Sequence, residues 1–238
     1  MNKWITKNGI QIDQILSGRS NAFLVSFDHK YILIDTGTQD SWYRLKKRLN
    51  SVIPENSSLA ALILTHVHFD HCENSSRIKD DYGANIIVHE SEALLLSSGK
   101  NSFCQGALPV TRRFFNLING RKLFSLVRCT PCAYDAIVTE EYQLNDLGFN
   151  AYILHTPGHT IGSMSMIVDN EIAIVGDAMF GVFPNSVFPP WADDTTMLTK
   201  SWKKLLDTGC ALFLPGHGTS NSRDLVQRQY TKYGEKVS

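Results

Sequence analysis

The chain has 238 residues, 43% of them hydrophobic and 19% charged; that length can bury a substantial core and suits one large domain, residues 1–238, better than two small ones. Lys plus Arg and Asp plus Glu both number 23, so the formal net charge is zero and no overall field draws in nucleic acid or an anionic membrane. The opening "MNKWITKNGIQIDQIL" lacks the continuous apolar stretch of a secretory signal, and no run reaches the roughly 20 residues of a membrane span. A cytoplasmic protein acting on a small molecule is expected, with nucleic acid disfavoured, no membrane partner, and a homodimer left open.

In chain order, "NAFLVSF" and "KYILIDTG" are β-type runs flanking "DHK", a hairpin whose second strand ends in Asp35, Thr36 and Gly37. "DSWYRLKKRLNSV" carries Trp42, Leu45 and Leu49 at helical spacing, and "LAALILT" has the length of a buried strand. A helix from about His71 to Tyr82, the strand "NIIVHE" and a Ser-led helix "SEALLLSS" follow, a βαβα rhythm. Residues 99–128 interrupt it with "VTRRFFNLINGRKLFSL", an aromatic, basic, helical pattern that fits either a lid insertion or a helix packed on an outer face. The second half alternates "AYILHTPGHT", "SMSMIV" and "EIAIVGDAMFG" as strands, then the helix "TTMLTKSWKKLL", the strand "ALFLPGHG" and a polar terminal helix.

Cys72, Cys104, Cys129, Cys132 and Cys210 are an odd, scattered set, which predicts reduced thiols and not a disulfide framework. The CxxC spacing in "RCTPCAYD" has no second pair to complete a structural zinc site and no thioredoxin-like context.

Chemistry concentrates in "ILTHVHFDHCEN". In an extended segment alternate side chains share a face, so His66 and His68 can grip one ion together, while Asp70 and His71 turn toward a second. Neutral imidazole and carboxylate suit Zn²⁺ and other divalent first-row ions. His159, Asp177 and His217 each stand just beyond an apolar run and beside glycine, at strand ends where a scaffold presents reactive groups.

Through "HVHFDH", "TPGHT", "VGDA" and "LPGHG", with "ILIDTG" as the early strand, the chain resembles the metallo-β-lactamase-fold hydrolases from about residue 20 to 220. The resemblance implies an α+β fold, a four-layer αββα sandwich, with a binuclear centre between the two sheet edges. It implies that His66, His68 and His159 hold one metal, that Asp70, His71 and His217 hold the other, and that Asp177 bridges them. Two divalent ions held by two aspartates and a bridging hydroxide leave one net positive charge, which can stabilise an oxyanion during hydrolysis. Asp70 is the catalytic candidate as proton carrier, and Asp35 stands where the family places a carboxylate that orients a ligand histidine. Zinc is the first choice of metal, with iron or manganese as alternatives. His155 is a second candidate for that orienting role, with an ordinary polar group as the favoured reading; His89 could face the groove but carries no motif, and His29 is read as a solvated turn residue.

Departures from relatives narrow the reaction. Lactamases of this fold generally lack the bridging aspartate, and flavodiiron oxidases put Glu at the place of His68. Quorum-quenching lactonases carry Tyr where this chain has Phe180, and glyoxalase II thioesterases add a glutathione-binding C-terminal region, whereas little follows residue 220 here. The expectation is a binuclear hydrolase of a carbonyl ester, lactone or thioester. The alternatives are a metal-holding sensor without turnover, a phosphodiesterase, or a mononuclear iron dioxygenase. Phe180, Phe183, Phe188 and Trp191, in "DAMFGVFPNSVFPPWADD", are the candidate wall of the substrate pocket.

Overall fold

A computed structural model of the chain describes residues 2–101, 106, 107, 113, 117 and 127–234. The stretch "VTRRFFNLINGRKLFSL" read above as a lid lies outside the described residues except for Arg113 and Leu117, and so does Cys104.

The described residues build two sheets. The first runs in the order β1 (Lys3–Ile5), β2 (Gln11–Leu16), β3 (Ala22–Phe27), β4 (Lys30–Ile34), β5 (Leu59–Ile63), β6 (Asn85–His89) and β7 (Ala136–Val138). Its pairings are antiparallel as far as β4 and parallel from there on. The second runs β13 (Asn221–Ser222), β12 (Leu212–Pro215), β11 (Ile172–Gly176), β10 (Met164–Val168), β9 (Ala151–His155) and β8 (Glu141–Gln143), with β11 and β12 parallel.

Strand alternation explains why the sheets stack. In β4, Ile32 and Ile34 point into a core shared with Ile153, Met166, Ile174 and Leu214 of the other sheet. Tyr31 and Leu33 point the opposite way, onto Leu45 and Leu49 of α1 (Trp42–Val52). A strand buried on both faces reads as a continuous apolar run, because successive side chains serve different layers. The outer face of the second sheet is covered by α5 (Thr195–Asp207) and α6 (Arg223–Tyr233), through Leu198, Trp202, Leu205 and Val226 against Ala173 and Phe213. The result is the expected helix, sheet, sheet, helix order.

Local differences from the sequence reading have local causes. The helix expected from His71 to Tyr82 is two helices, α2 (Phe69–Cys72) and α3 (Ser75–Tyr82). They break at Asn74, whose backbone N–H donates to Thr36 Oγ1 at 3.1 Å and whose amide donates to the Thr36 and Thr38 carbonyls at 3.0 and 2.9 Å. The helix α4 (Glu90–Ser98) is capped not by a serine but by His89, whose imidazole accepts from Ser91 N at 3.2 Å. In the CxxC pair, Cys129 faces Cys72, with sulfurs 3.3 Å apart, instead of Cys132. Among the described residues no helix is long and apolar enough to cross a membrane.

The sheets are tied at one end. Asn21 donates its amide to the Pro215 and Gly218 carbonyls at 2.8 and 3.0 Å, and Met164 N donates to Thr65 O at 2.8 Å. Just behind this end Trp202, fully buried, donates Nε1–H to Ala178 O at 2.6 Å. Trp202→Phe should therefore destabilise the fold by roughly 2 kcal/mol, because it empties part of the core and strands a buried carbonyl. Urea denaturation measures this, and a loss under about 0.5 kcal/mol would show that the bond contributes nothing net.

Candidate metal centre

Beyond β5 the chain bends at Thr65 and His66 and reaches His68 in an extended conformation before turning into α2, and this short path sets four side chains at the joined end. His66 Nε2 lies 2.9 Å from His68 Nδ1, which is 3.1 Å from His159 Nε2 in the β9–β10 connection. His71 Nε2 lies 3.3 Å from His217 Nε2, just past β12, and His217 Nε2 is 3.6 Å from Asp70 Oδ2. Asp177, directly after β11, reaches both groups: 3.4 Å to His159 and 4.0 Å to His66, 3.5 Å to His71 and 3.3 Å to His217. All seven sequence candidates thus meet at one place.

Their electrostatics suit cation binding. Burial first, then neighbouring imidazoles, push the His66 pKa well below its ordinary value; His68 and His159 are lowered chiefly by burial. These rings are neutral, with nitrogen lone pairs available. Burial is the largest single influence on His71 and His217 too and works against charge, but the neighbouring carboxylates together, Asp177 with Asp35 and Asp70 at His71 and Asp177 with Asp70 at His217, outweigh it and raise both. Burial would raise the Asp177 carboxyl, yet His217, His71 and His159 hold it far below the carboxylate range. Asp177 Oδ1 is buried with no hydrogen-bond donor. Converging imidazole lone pairs beside an ionised carboxylate with a bare oxygen form a donor set that fits divalent cations.

The next layer outward holds these groups still. Asp35 Oδ2 accepts from His71 Nδ1 at 2.8 Å and from Thr65 Oγ1 at 2.7 Å, while Oδ1 accepts from Thr65 N at 2.8 Å. The His71 lone pair is thereby aimed through Nε2 at the cluster. His159 Nδ1 donates to Trp191 O at 2.9 Å, which fixes its tautomer likewise. Two glycines permit the close approach. A Cβ on Gly216 would sit 2.3 Å from Asp177 Oδ1, and one on Gly158, at φ +134°, would sit 2.3 Å from the Leu198 backbone nitrogen.

A cavity of about 380 Å³ opens onto the cluster. Five of the seven candidates form its floor, Phe69, Val127, Phe180 and Trp191 its walls, and Arg19 its rim. Phe180 stacks on His217 at 4.6 Å. The other two expected wall residues are not among its described lining: Phe188 packs edge-on against Trp202 and Tyr233 at 5.0 Å each, and Phe183 stands half exposed. His155 and His89 stack on each other at 4.1 Å, with His155 Nε2 donating to Ile161 O at 2.8 Å. His29 is an exposed turn residue with φ 59°.

Sequence reasoning missed Thr65, Arg19 and Glu92. The fully buried Glu92 carboxylate accepts from Val67 N, between two of the histidines. None of the three has a spacing signal, because each acts on a residue brought near by the fold; for Glu92 the separation is 25 positions.

The fold and cluster together define a class: an αββα protein with a His/Asp centre built for divalent metal at the sheet edges. The sequence profile of the metallo-beta-lactamase superfamily matches residues 17–217, and the chain belongs to that superfamily. It is 26% identical over 205 residues to the probable metallo-hydrolase YqgX of Bacillus subtilis, covering 84% of this chain and 85% of the relative. It is 29% identical over 215 residues to the hydroxyacylglutathione hydrolase GloC of Haemophilus influenzae, covering 88% and 91%. The crystal structure of the BLEG-1 B3 metallo-beta-lactamase shares the fold, with a TM-score of 0.64 at 22% identity over 95% of this chain and 99% of that one. At the level these relatives support, the chain is a metallo-hydrolase.

Asp35→Asn should lower metal affinity by about 10- to 100-fold, because the amide carries no charge and its single oxygen cannot replace both carboxylate oxygens, which together accept from Thr65 N, Thr65 Oγ1 and His71 Nδ1; competition with a chelator reads this, and unchanged affinity would remove Asp35 from the orienting role. The Asp193 carboxyl, in the segment that follows Trp191, is pushed up to about 7 by burial, Glu92 and Asp194. A folded acid whose pKa is raised binds more protons than the unfolded chain, so it subtracts stability as pH climbs past the unfolded value near 4 toward 7. Asp193→Asn should then gain stability over wild type, by on the order of 1 kcal/mol once solvent screening is allowed for, and the gain should be larger at pH 8 than at pH 5. Denaturation midpoints at the two pH values check it; an equal difference at both would overturn the assignment.

Proposed function

We propose that the chain is a binuclear metal-dependent hydrolase of acyl esters and thioesters, thioesters first. One observation carries this: the ligand-capable atoms of His66, His68 and His159, of His66, His71 and Asp177, and of Asp70, His71 and His217 each lie within 4.8 Å of one another. Overlapping sets that share His66 and His71 suit two neighbouring ions better than one. In this reading His66, His68 and His159 hold the first ion, Asp70, His71 and His217 the second, and Asp177 both; zinc is the first choice, with iron or manganese as alternatives. When bound, such ions supply a water acidic enough to ionise at neutral pH and positive charge beside the carbonyl oxygen.

The chain's own residues do the rest. Phe69, Phe180 and Trp191 receive the apolar part of the substrate and exclude water. Asp70, on the cavity floor and 3.6 Å from His217 Nε2, passes a proton toward the leaving group. Asp35 keeps His71 in the ligating tautomer. Phe180 offers no hydroxyl where lactonases of the family carry one, which moves lactones down the order. The likeness to the GloC hydrolase, over 88% of this chain, supports thioesters.

After incubation with excess Zn²⁺ or Mn²⁺ and dialysis, elemental analysis should find two ions per chain; one or none would sink the binuclear reading. Asp70→Ala should cut kcat for a hydrolysed thioester by roughly 10²- to 10⁴-fold and lower metal content, whereas His29→Ala stays within about twofold. Equal losses in the two variants would show that the assignment is wrong, and a phosphodiester as best substrate would replace the acyl reading.

A further inference from the structure

We propose that Arg19 selects substrates that carry a carboxylate in addition to the scissile acyl group, an inference that rests on the hydrolase reading above. Arg19 is the only Arg or Lys among the described residues that line the cavity. The acids there, Asp70 and Asp177, belong to the ligand cluster on the floor. An acyl carbonyl must reach that floor, and the carbon chain beside it meets apolar walls. Among the described residues an anionic end can then be paired only at the rim.

The placement of Arg19 is built, although the side chain is exposed. It sits in the β2–β3 turn "SGRSN", whose next two residues are clamped to the candidate ligand loops. Ser20 Oγ donates to Asp70 O, and Asn21 N donates to Gly216 O at 2.7 Å beside the two amide bonds to Pro215 and Gly218. The Arg19 Cα is therefore fixed relative to both halves of the cluster. Its guanidinium lies over the Phe69 ring, 4.8 Å from the centroid, and Phe69 stands between His68 and Asp70 in the chain. A planar cation resting on an aromatic face gives up less freedom on pairing and presents a fork that matches a carboxylate. Its acidic neighbour is Asp40, whose carboxyl is lowered chiefly by the Thr38 hydroxyl and less by Arg19. That attraction is to a solvent-exposed group, with which a substrate carboxylate can compete.

Three thioesters test this with metal-loaded protein: S-pentanoyl-N-acetylcysteamine, which is neutral; S-glutaryl-N-acetylcysteamine, with the acid on the acyl side; and S-pentanoyl-N-acetylcysteine, with the acid on the thiol side. Wild type should favour at least one acid over the neutral compound by about tenfold in kcat/KM, carried mostly by KM and reduced at high salt. The preferred acid identifies the side that faces Arg19. Arg19→Gln should bring the ratio near one and Arg19→Glu below one, with kcat for the neutral thioester within about threefold of wild type and Arg19→Lys intermediate. A ratio that Arg19→Gln and Arg19→Glu leave unchanged, or a wild-type preference for the neutral compound, would overturn the inference while leaving the hydrolase reading intact. Hydrolysis of none of the three would remove the thioester reading and the inference with it.

Discussion

The functional end depends on one buried carboxylate. Asp177 is 4% exposed and faces four histidines from three separate segments: His66 and His71 on the path from β5 into α2, His159 between β9 and β10, and His217 after β12. An ionised carboxylate at that depth is untenable without positive charge around it. In the metal-free chain the balance comes from His71 and His217, both of which hold their protons more tightly because Asp177 is there. A divalent cation in the same space supplies that charge and needs the same nitrogens deprotonated, so metal uptake and proton release are one exchange.

That constraint explains features of the fold that packing alone does not require. Three segments can surround one side chain only if the two sheets are fixed to each other at the same end, and Asn21 and Met164 make those ties across the layers. Strain is held at the same place. Asp35 adopts φ 59°, a left-handed conformation uncommon outside glycine, while almost fully buried at the end of β4. Its carboxylate is held by Thr65 and His71 together, and the fully buried strand behind it keeps the backbone from relaxing. The inter-sheet core thus keeps the candidate ligand histidines in register.

What could be read from sequence follows the distance over which each feature is encoded. "HVHFDH" is legible because its four chemical groups sit on one short path and alternation fixes their directions. The layered order was legible from apolar runs, and "TPGHT", "VGDA" and "LPGHG" from strand ends beside glycine. Phe188 was misjudged because a loop aromatic next to a ligand has no periodicity to give its direction; α5 and α6 provide a better apolar neighbourhood than the cavity, and it turns to Trp202 and Tyr233. The CxxC spacing, read as completing no site, is likewise not a local pair, since the sulfur that meets Cys129 lies 57 residues away. The edge strands β1, β7 and β8 have three residues each, too few to show a period.

Burial grades across the cluster, and the grading bears on the proposed reaction. The His66 and His71 side chains have no exposure, Asp177 has 4%, and Asp70 and His217 reach 14% and 15%. A carboxylate that delivers a proton must regain one from solvent, which needs an open path. Asp35 is buried and committed to Thr65 and His71, and Asp177, although on the cavity floor, is 4% exposed and held ionised by imidazoles. Asp70 alone among the three acids meets the cavity, the solvent and the cluster at once. The same opening brings Arg19 to the rim, so in the proposed reaction the face that admits a proton would also admit the charged end of a substrate. Chemistry and selection are then arranged along one axis, from the dry histidines at the floor to the wet guanidinium at the mouth.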